Sequence, residues 1–278
     1  DINDKEQISI SNPLLVETSV LRKTLIDEHI RVCQRNLNAG NKGCWIYEIG
    51  KTFVKKENSI IENTLLNGVI CGEKRLEMWS NSAKPLPLDY FQARGILAKA
   101  FNSLKIKFND LPYYKTTDDF FHPGKSASLV LEGKNIGKFG QIHPSFAEKK
   151  EIPQETYIFE LDLKPILASA TRKNKWNVTF KDFITTPYIE RDIAFIVSKE
   201  CLSSKAIQII RKAGKPLLEK VELIDRFEGG KLEPNQCSQA YRIWYRSKNQ
   251  ILKDTDVNPV HDKVRQALAK ELSAELRS

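Results

Sequence analysis

The amino-acid sequence predicts an α+β protein of two domains. Along residues 1–165, apolar positions recur at helical and at alternating spacing, and turn signals separate short strands that favour a largely antiparallel sheet. Residues 166–182 lose this periodicity and gain lysine, arginine and asparagine, which is typical of a linker. Residues 183–278 then follow the order strand, helix, strand, strand, helix, strand. We therefore predict domains at 1–165 and 183–278, joined by a linker at 166–182.

The elements of the first domain follow from these spacings. Apolar residues from Leu21 to Leu37 recur as on one face of a helix, with Thr18 or Ser19 as its cap, and a second amphipathic helix begins near Asp89. The first predicted strand is 44–57, and the strand 64–72 returns beside it as in a hairpin. A series of short strands follows over 113–144, with turns at Pro123-Gly124 and Gly133-Lys134, and the last strand of the domain is 156–163.

The second domain has a more regular pattern. Its predicted strands are 191–197, 218–230, 238–246 and a short last strand at Leu276 and Arg277, and its predicted helices are 203–214, with a serine cap and a glycine stop, and 255–275. This order is the ferredoxin-like arrangement, in which both helices pack on one face of the sheet and the other face is open.

One strand of this domain has an unusual second face. In "SQAYRIWYR", Tyr241, Ile243 and Tyr245 alternate toward the helices, so that Arg242, Trp244 and Arg246 fall on the open side. Arginine binds phosphates and tryptophan stacks on bases, so this side could hold RNA. The alternative is a solvated sheet face on which an arginine covers an exposed tryptophan.

Composition limits the other classes of function. The chain has 278 residues, 41% hydrophobic and 28% charged, with a net charge of +9 that admits nucleic acid or another anionic partner. No stretch approaches the roughly 20 apolar residues of a membrane span. Met78 is the only methionine and Asp1 comes first, so we expect a fragment or an excised domain.

Cysteine and histidine spacing gives no support for a metal site. The five cysteines are widely spaced and form no C-x-x-C pair, and the four histidines form no H-x-x-x-H motif. We expect free cysteines in a reducing compartment and no metal bound by this chain.

The motifs of the second domain carry a family resemblance. The stretches "TTPYIERDIAFIV", "VELIDRFEGG", "SQAYRIWYR", "LKDTDV" and "AELR" closely resemble the ferredoxin-fold anticodon-binding domain that ends the beta subunits of bacterial-type phenylalanyl-tRNA synthetases. The first domain contributes "NPLLVETSVLRKTLI", "YEIGKTF", "GVICG" with Trp79, "DYFQARGIL" and "FHPGKSASLVLEGKNIGKFGQIHP", in the order of the family's inactive, class II synthetase-like domain.

This resemblance implies a non-catalytic role within a ligase. The first domain would brace the catalytic alpha subunit in an assembly of two alpha and two beta subunits, and the second would bind the anticodon region of tRNA(Phe). The chain itself would bind no cofactor, whereas the complete enzyme would use ATP and magnesium in a bacterial cytoplasm or a plastid stroma. The resemblance adds five residues to the RNA-binding candidates Arg242, Trp244 and Arg246: Arg191, Asp192, Asp225, Arg226 and Phe227. Alternation leaves the side of Phe227 open, because the following "EGG" favours a bulge.

Other polar groups carry weaker functional interpretations. "FHPGKSA" brings His122, Lys125 and Ser126 together, but it is also an ordinary Pro-Gly turn, and we expect no catalytic residue in it. Arg22 and Arg94 could correspond to ATP-binding arginines of active class II enzymes, although helix-surface or subunit-interface roles are favoured. Part of the first helix or of the "LDYFQARGIL" helix could be buried only against the alpha subunit.

Two other functions remain alternatives at this point. The chain could be a stand-alone RNA-binding protein built from the same modules. It could also be a class II ligase that charges tRNA as a single chain, although its first domain follows the beta-subunit pattern instead.

Overall fold

The computed structural model describes residues 8–15, 19–56, 59–72, 88–112, 120–177, 180 and 183–276. The chain divides into two compact units, unit 1 at residues 1–178 and unit 2 at residues 179–278. Within the described ranges, the helices are too short or too polar to cross a membrane.

Unit 1 contains a six-stranded antiparallel sheet. In chain order its strands are β1 Gly43–Lys56, β2 Ser59–Gly72, β3 Asn109–Pro112, β4 Phe121–Leu131, β5 Lys134–Ile142 and β6 Tyr157–Asp162. They lie side by side in the order β1-β2-β6-β5-β4-β3, so that β1 and β3 are the edge strands. The predicted antiparallel sheet is confirmed.

Four helices cover both faces of this sheet: α1 Ile26–Asn38, α2 Tyr90–Ser103, α3 Pro144–Lys149 and α4 Leu163–Ala170. Leu97 of α2 and Ile166 of α4 pack into the core on one face, and Ile30 of α1 and Ala147 of α3 pack into the core on the other. The apolar residues of β6 divide between these cores by alternation, as a strand buried on both sides requires.

The helix that was predicted from Asp89 is confirmed, and its start has a clear physical cause. The Asp89 carboxylate accepts a hydrogen bond from the Gln92 amide nitrogen at 2.7 Å, and the Gln92 side chain accepts one from the Asp89 amide nitrogen. These reciprocal bonds form a capping box, which satisfies donors that the first helical turn leaves without partners.

The first helix begins later than predicted. It starts at Ile26, and the preceding Leu25 provides no side-chain cap. Ser19 does not cap the helix because it lies in an extended segment, where its carbonyl accepts a hydrogen bond from the Ile10 amide nitrogen at 2.8 Å. The other proposed cap, Thr18, and the family-motif residue Trp79 lie outside the described residues.

Two other predictions in unit 1 need correction. Pro123 and Gly124 form no turn between strands; they lie inside β4, at a register shift between Phe121 and Ser126. The predicted linker at 166–182 begins too early, because helix α4 continues to Ala170 and its Ile166 is buried. The polar composition starts only after this helix, and residues 178, 179, 181 and 182 lie outside the described ranges.

Unit 2 has the predicted strand and helix order. Its elements are β7 Ile189–Ser198, α5 Ser203–Ala213, β8 Leu218–Glu228, β9 Gln236–Tyr245, α6 Asp254–Leu272 and β10 Glu275–Leu276. The strands are antiparallel in the order β10-β7-β9-β8, which is the ferredoxin-like topology. The predicted last strand extends to Arg277, which lies outside the described residues.

Candidate nucleic-acid interface

The sheet of unit 2 packs one face on helices α5 and α6, and no helix covers the other face among the residues that the structure describes in this unit. Tyr241, Ile243 and Tyr245 of β9 are fully buried in the same core as residues of α5 and α6. The intervening residues of β9 project from the opposite side, which we call the open face of unit 2. The sequence prediction of these two sides of β9 is confirmed.

The strand register assigns the neighbouring side chains to this face. Directly opposite residues of an antiparallel pair lie on the same side of the sheet. Arg242 is paired with Asp192 of β7, and Trp244 is paired with Glu190 of β7 and Lys220 of β8.

Two of the predicted site residues lie on the other side. Arg191 is paired with Ile243 and forms an ion pair with Asp254 of α6, so it belongs to the helix-covered side. Arg226 is paired with the buried Gln239 and donates to the Lys199 carbonyl at 3.4 Å. Adjacent strand residues project to opposite sides, so Arg191 cannot share a face with Asp192, nor Arg226 with Asp225 and Phe227.

A bulge determines the side of the sheet on which Phe227 lies. This bulge precedes Phe227 in β8, whereas the sequence suggested one at the "EGG" that follows it. Register shifts in β8 occur between Leu218 and Lys220 and between Leu223 and Asp225, whereas Gly229 and Gly230 follow the strand in a turn. The extra residue before Asp225 changes the alternation, so that Phe227 is paired with Ser238 on the open face. Its side chain is 49% exposed.

Arg242 is held by carboxylates rather than left free. Its guanidinium donates two hydrogen bonds to the Asp192 carboxylate, both at 2.8 Å, and Glu190 lies 3.9 Å away. The hydrogen bonds from Arg242 hold the pKa of Asp192 below its ordinary value. A phosphate would therefore have to compete with Asp192 for this arginine.

Trp244 and Arg246 are also engaged. The Trp244 indole N–H donates to Glu190 at 2.7 Å, and the Lys220 ammonium lies 4.5 Å from the centre of the indole ring. Arg246 forms an ion pair with Glu219 at 3.1 Å, and its guanidinium lies 5.5 Å from the ring of Tyr188.

The open face is therefore a mixed-charge surface with aromatic groups. Sequence reasoning missed Glu190, Lys220 and Glu222 on this face, although alternation from Asp192 would have indicated Glu190. Carboxylates can accept hydrogen bonds from base amino groups, and aromatic rings can stack on bases. This arrangement is better suited to reading unpaired bases than to attracting phosphates.

Three side chains of unit 1 that resembled functional groups in the sequence, His122, Arg22 and Arg94, form local contacts. The His122 ring accepts a hydrogen bond from the Gly124 amide nitrogen at 3.0 Å, and burial lowers the pKa of His122. Arg22 pairs with Glu48 at 2.6 Å, and Arg94 forms a two-point contact with Asp110.

Unit 1 also contains a cavity of about 660 Å³ beside the start of α1. Asp27, Glu160 and Asp162 contribute carboxylates to its lining, and Lys138 contributes a cation. Glu160 already accepts hydrogen bonds from the Thr24 hydroxyl at 2.6 Å and the Leu25 amide nitrogen at 3.0 Å. Among the described residues, the lining therefore carries more carboxylates than cations, which disfavours a phosphate group in this cavity.

Comparison with known proteins matches both units to families. Residues 1–163 match the phenylalanyl tRNA synthetase beta chain CLM domain, and residues 185–277 match the ferredoxin-fold anticodon binding domain.

Curated relatives match over nearly the whole chain. A phenylalanine–tRNA ligase beta subunit of Prochlorococcus marinus (strain MIT 9313) is 54% identical over 100% of this chain and 34% of the relative. The beta subunit of Synechococcus sp. (strain CC9605) is 50% identical over 99% of this chain and 34% of the relative. The chain thus spans about a third of the length of the curated relatives it matches.

Proposed function

The chain belongs to the phenylalanyl-tRNA synthetase beta chain family, and we propose that it works as a non-catalytic part of a phenylalanine–tRNA ligase. The complete enzyme joins L-phenylalanine to tRNA(Phe) at the expense of ATP. In this proposal the chain has no active site of its own, and ATP and magnesium bind to the catalytic alpha subunit.

The observation that carries this proposal is the open face of unit 2, within a domain that matches an anticodon-binding family. The exposed ring of Phe227 and the partly buried indole of Trp244 offer surfaces on which unpaired bases stack, at about 1–3 kcal/mol per base. Glu190, Asp192 and Glu222 provide acceptors for base amino groups beside these rings. We propose that this face binds the anticodon region of tRNA(Phe).

Unit 1 would bind the alpha subunit through an apolar surface beside its edge strand. Tyr47 and Ile49 of β1 are 74% and 56% exposed, and they share a sheet face with α2, whose Phe91 is 81% exposed. Apolar side chains exposed along an unpaired strand edge are typical of a surface that a partner covers. The proposed assembly contains two alpha and two beta subunits, in a bacterial cytoplasm or a plastid stroma.

Co-expression with a candidate alpha subunit tests the proposal. We expect the two chains to co-purify, and charging of tRNA(Phe) to depend on the presence of both. The isolated chain should not form phenylalanyl-adenylate, which can be measured by ATP–pyrophosphate exchange.

The same experiment separates the alternatives. Exchange activity of the isolated chain would favour a single-chain ligase. Binding of tRNA without any association with the alpha subunit would favour a stand-alone RNA-binding protein.

A further inference from the structure

A second surface of the chain combines cations with an exposed aromatic ring, and it lies entirely within unit 1. It surrounds the end of helix α4 and includes the segment after α2. Its members, which we call the Trp176 patch, are Lys105, Lys107, Arg172, Lys173, Lys175 and Trp176.

The indole of Trp176 is fixed in place but open to solvent. Its N–H donates to the Ala170 carbonyl at the end of α4 at 2.9 Å, while the side chain stays 51% exposed. Beside it, the Lys175 ammonium donates to the Ser169 carbonyl at 2.7 Å. Both contacts satisfy carbonyls that the helix end leaves without partners, so the ring has a defined orientation before any ligand binds.

One cation of the patch lies next to this ring, and few carboxylates neutralise the patch. The Lys105 ammonium lies 5.1 Å from the centre of the Trp176 ring, and Arg172 pairs with Glu132 at 2.6 Å. Lys105, Lys107 and Lys173 form no ion pair with any carboxylate of the described residues. The open face of unit 2 is the opposite case, because Arg242, Arg246 and Lys220 all have carboxylate partners there.

We infer that the Trp176 patch is a second RNA-binding surface, which holds the phosphodiester backbone of tRNA and stacks one unpaired base or an exposed terminal base pair on Trp176. This inference rests on the proposed tRNA-binding function and assigns part of the contact to unit 1. Lysines without carboxylate partners can release the counterions of the phosphates, which supplies affinity without sequence specificity. A fixed aromatic ring among such cations is the combination that RNA-binding surfaces use. An anionic lipid headgroup shares the charge of phosphate but offers no base for the ring.

The test uses the full chain and removes two charges at exposed positions. The double variant Lys105→Gln/Lys173→Gln is compared with Lys55→Gln/Lys56→Gln, which removes the same charge from the β1–β2 hairpin. Affinity for a labelled tRNA(Phe) transcript is measured by fluorescence anisotropy between 50 and 200 mM salt. We expect the patch variant to lose about tenfold in affinity and its salt slope to fall by about 2, whereas the hairpin variant stays within about twofold.

Three outcomes would overturn the inference in distinguishable ways. If Trp244→Ala weakens tRNA binding and the patch variant does not, the anticodon role stands and the second surface is wrong. If the patch variant keeps its tRNA affinity but no longer binds vesicles of phosphatidylglycerol, the patch is a membrane site instead. If the unsubstituted chain binds no tRNA, both the inference and the proposed anticodon role fail.

Discussion

Tyr241 makes a side-chain hydrogen bond inside the core of unit 2. Its hydroxyl donates to the Gln239 side chain at 2.7 Å, and both residues are buried. Replacing Tyr241 by phenylalanine leaves a buried acceptor without its donor, which costs about 1–3 kcal/mol. We expect the free energy of unfolding to fall by that amount in chemical denaturation.

Tyr245 provides a matched control for this substitution. Its hydroxyl contacts Nδ1 of His261 at 3.2 Å, and His261 is only partly buried, so water can replace the lost partner. Tyr245→Phe should therefore cost less than Tyr241→Phe. Equal losses of stability in the two variants would show that the hydrogen bond to Gln239 stabilises the fold no more than the contact with His261 does.

His261 makes the stability of unit 2 dependent on pH. Burial lowers the pKa of His261, and the positive charges of Arg265 and Arg191 lower it further against the opposing effect of Asp262. Because the pKa in the folded state lies below that of the unfolded chain, near 6.5, the unfolded chain takes up the proton first. The contribution of neutral His261 to the free energy of unfolding is fully present above about pH 6.5. It is lost as the pH falls through the folded-state pKa.

We expect the free energy of unfolding of the wild-type chain to fall between pH 7 and pH 5. In the His261→Gln variant this fall should be smaller, because the titrating imidazole is absent. Denaturant unfolding at the two pH values measures the difference, and an NMR titration of the imidazole gives the pKa directly. A pKa above 6.5 would contradict the argument.

For single residues, the sequence was sufficient to predict the sheet face of a side chain wherever one strand could be interpreted without its neighbours. Alternation placed Arg242 and Trp244 on the open face correctly, because nothing interrupts β9. It would also have separated Arg191 from Asp192, since neighbours in a strand point to opposite sides; the resemblance alone had grouped them. Ion pairing could not be predicted, because the partner of Arg242 is 50 residues away in the chain.

Strand β9 carries the side chain on which the anticodon proposal most depends. Trp244→Ala removes the stacking surface and also the indole donor to Glu190. Since stacking on one base contributes about 1–3 kcal/mol, we expect tRNA(Phe) affinity to fall about fivefold or more. His122→Ala, in unit 1, should leave affinity unchanged in the same anisotropy assay. The reverse ranking would contradict the open-face proposal.

Strand β1 carries the proposed contact with the alpha subunit. Tyr47→Ser/Ile49→Ser removes apolar area from exposed positions, so folding should be little changed, whereas association should weaken. We expect less alpha subunit to co-purify with this variant. Ile251→Ser, which changes an exposed apolar residue of unit 2, is the matched control. Equal recovery of the alpha subunit with both variants would place the contact elsewhere.

Element boundaries were predictable where a local signal marks them. Asp89 and Gln92 identify the start of α2 in the sequence, because a capping box needs only residues three apart. The bulge in β8 has no such signal: the register changes next to Ile224, an ordinary strand residue, and only pairing with β9 reveals it. The glycines that suggested a bulge instead form the turn, with positive φ at Gly229 and Gly230.

The two units differ in how their charge is arranged. The net charge of +9 is a property of the whole chain, and it admitted an anionic partner without selecting or locating one. On the open face of unit 2, arginines and carboxylates neutralise each other, which favours selectivity among bases over attraction of phosphates. In the Trp176 patch, by contrast, Lys105, Lys107 and Lys173 form no ion pair with a carboxylate of the described residues, which favours attraction of phosphates. A tRNA held by both surfaces would obtain its salt-dependent affinity mainly from unit 1 and its sequence preference from unit 2.

Separate cores also predict how the whole chain unfolds. Among the described residues, the core around Tyr241 and Phe195 is built from unit 2, and the two cores of the other unit are built from unit 1. Each unit can therefore lose its buried apolar surface without the other, so we expect two transitions in differential scanning calorimetry. Tyr241→Phe should lower the midpoint of one transition and leave the other in place. A single transition that shifts as a whole would show that the two units unfold cooperatively.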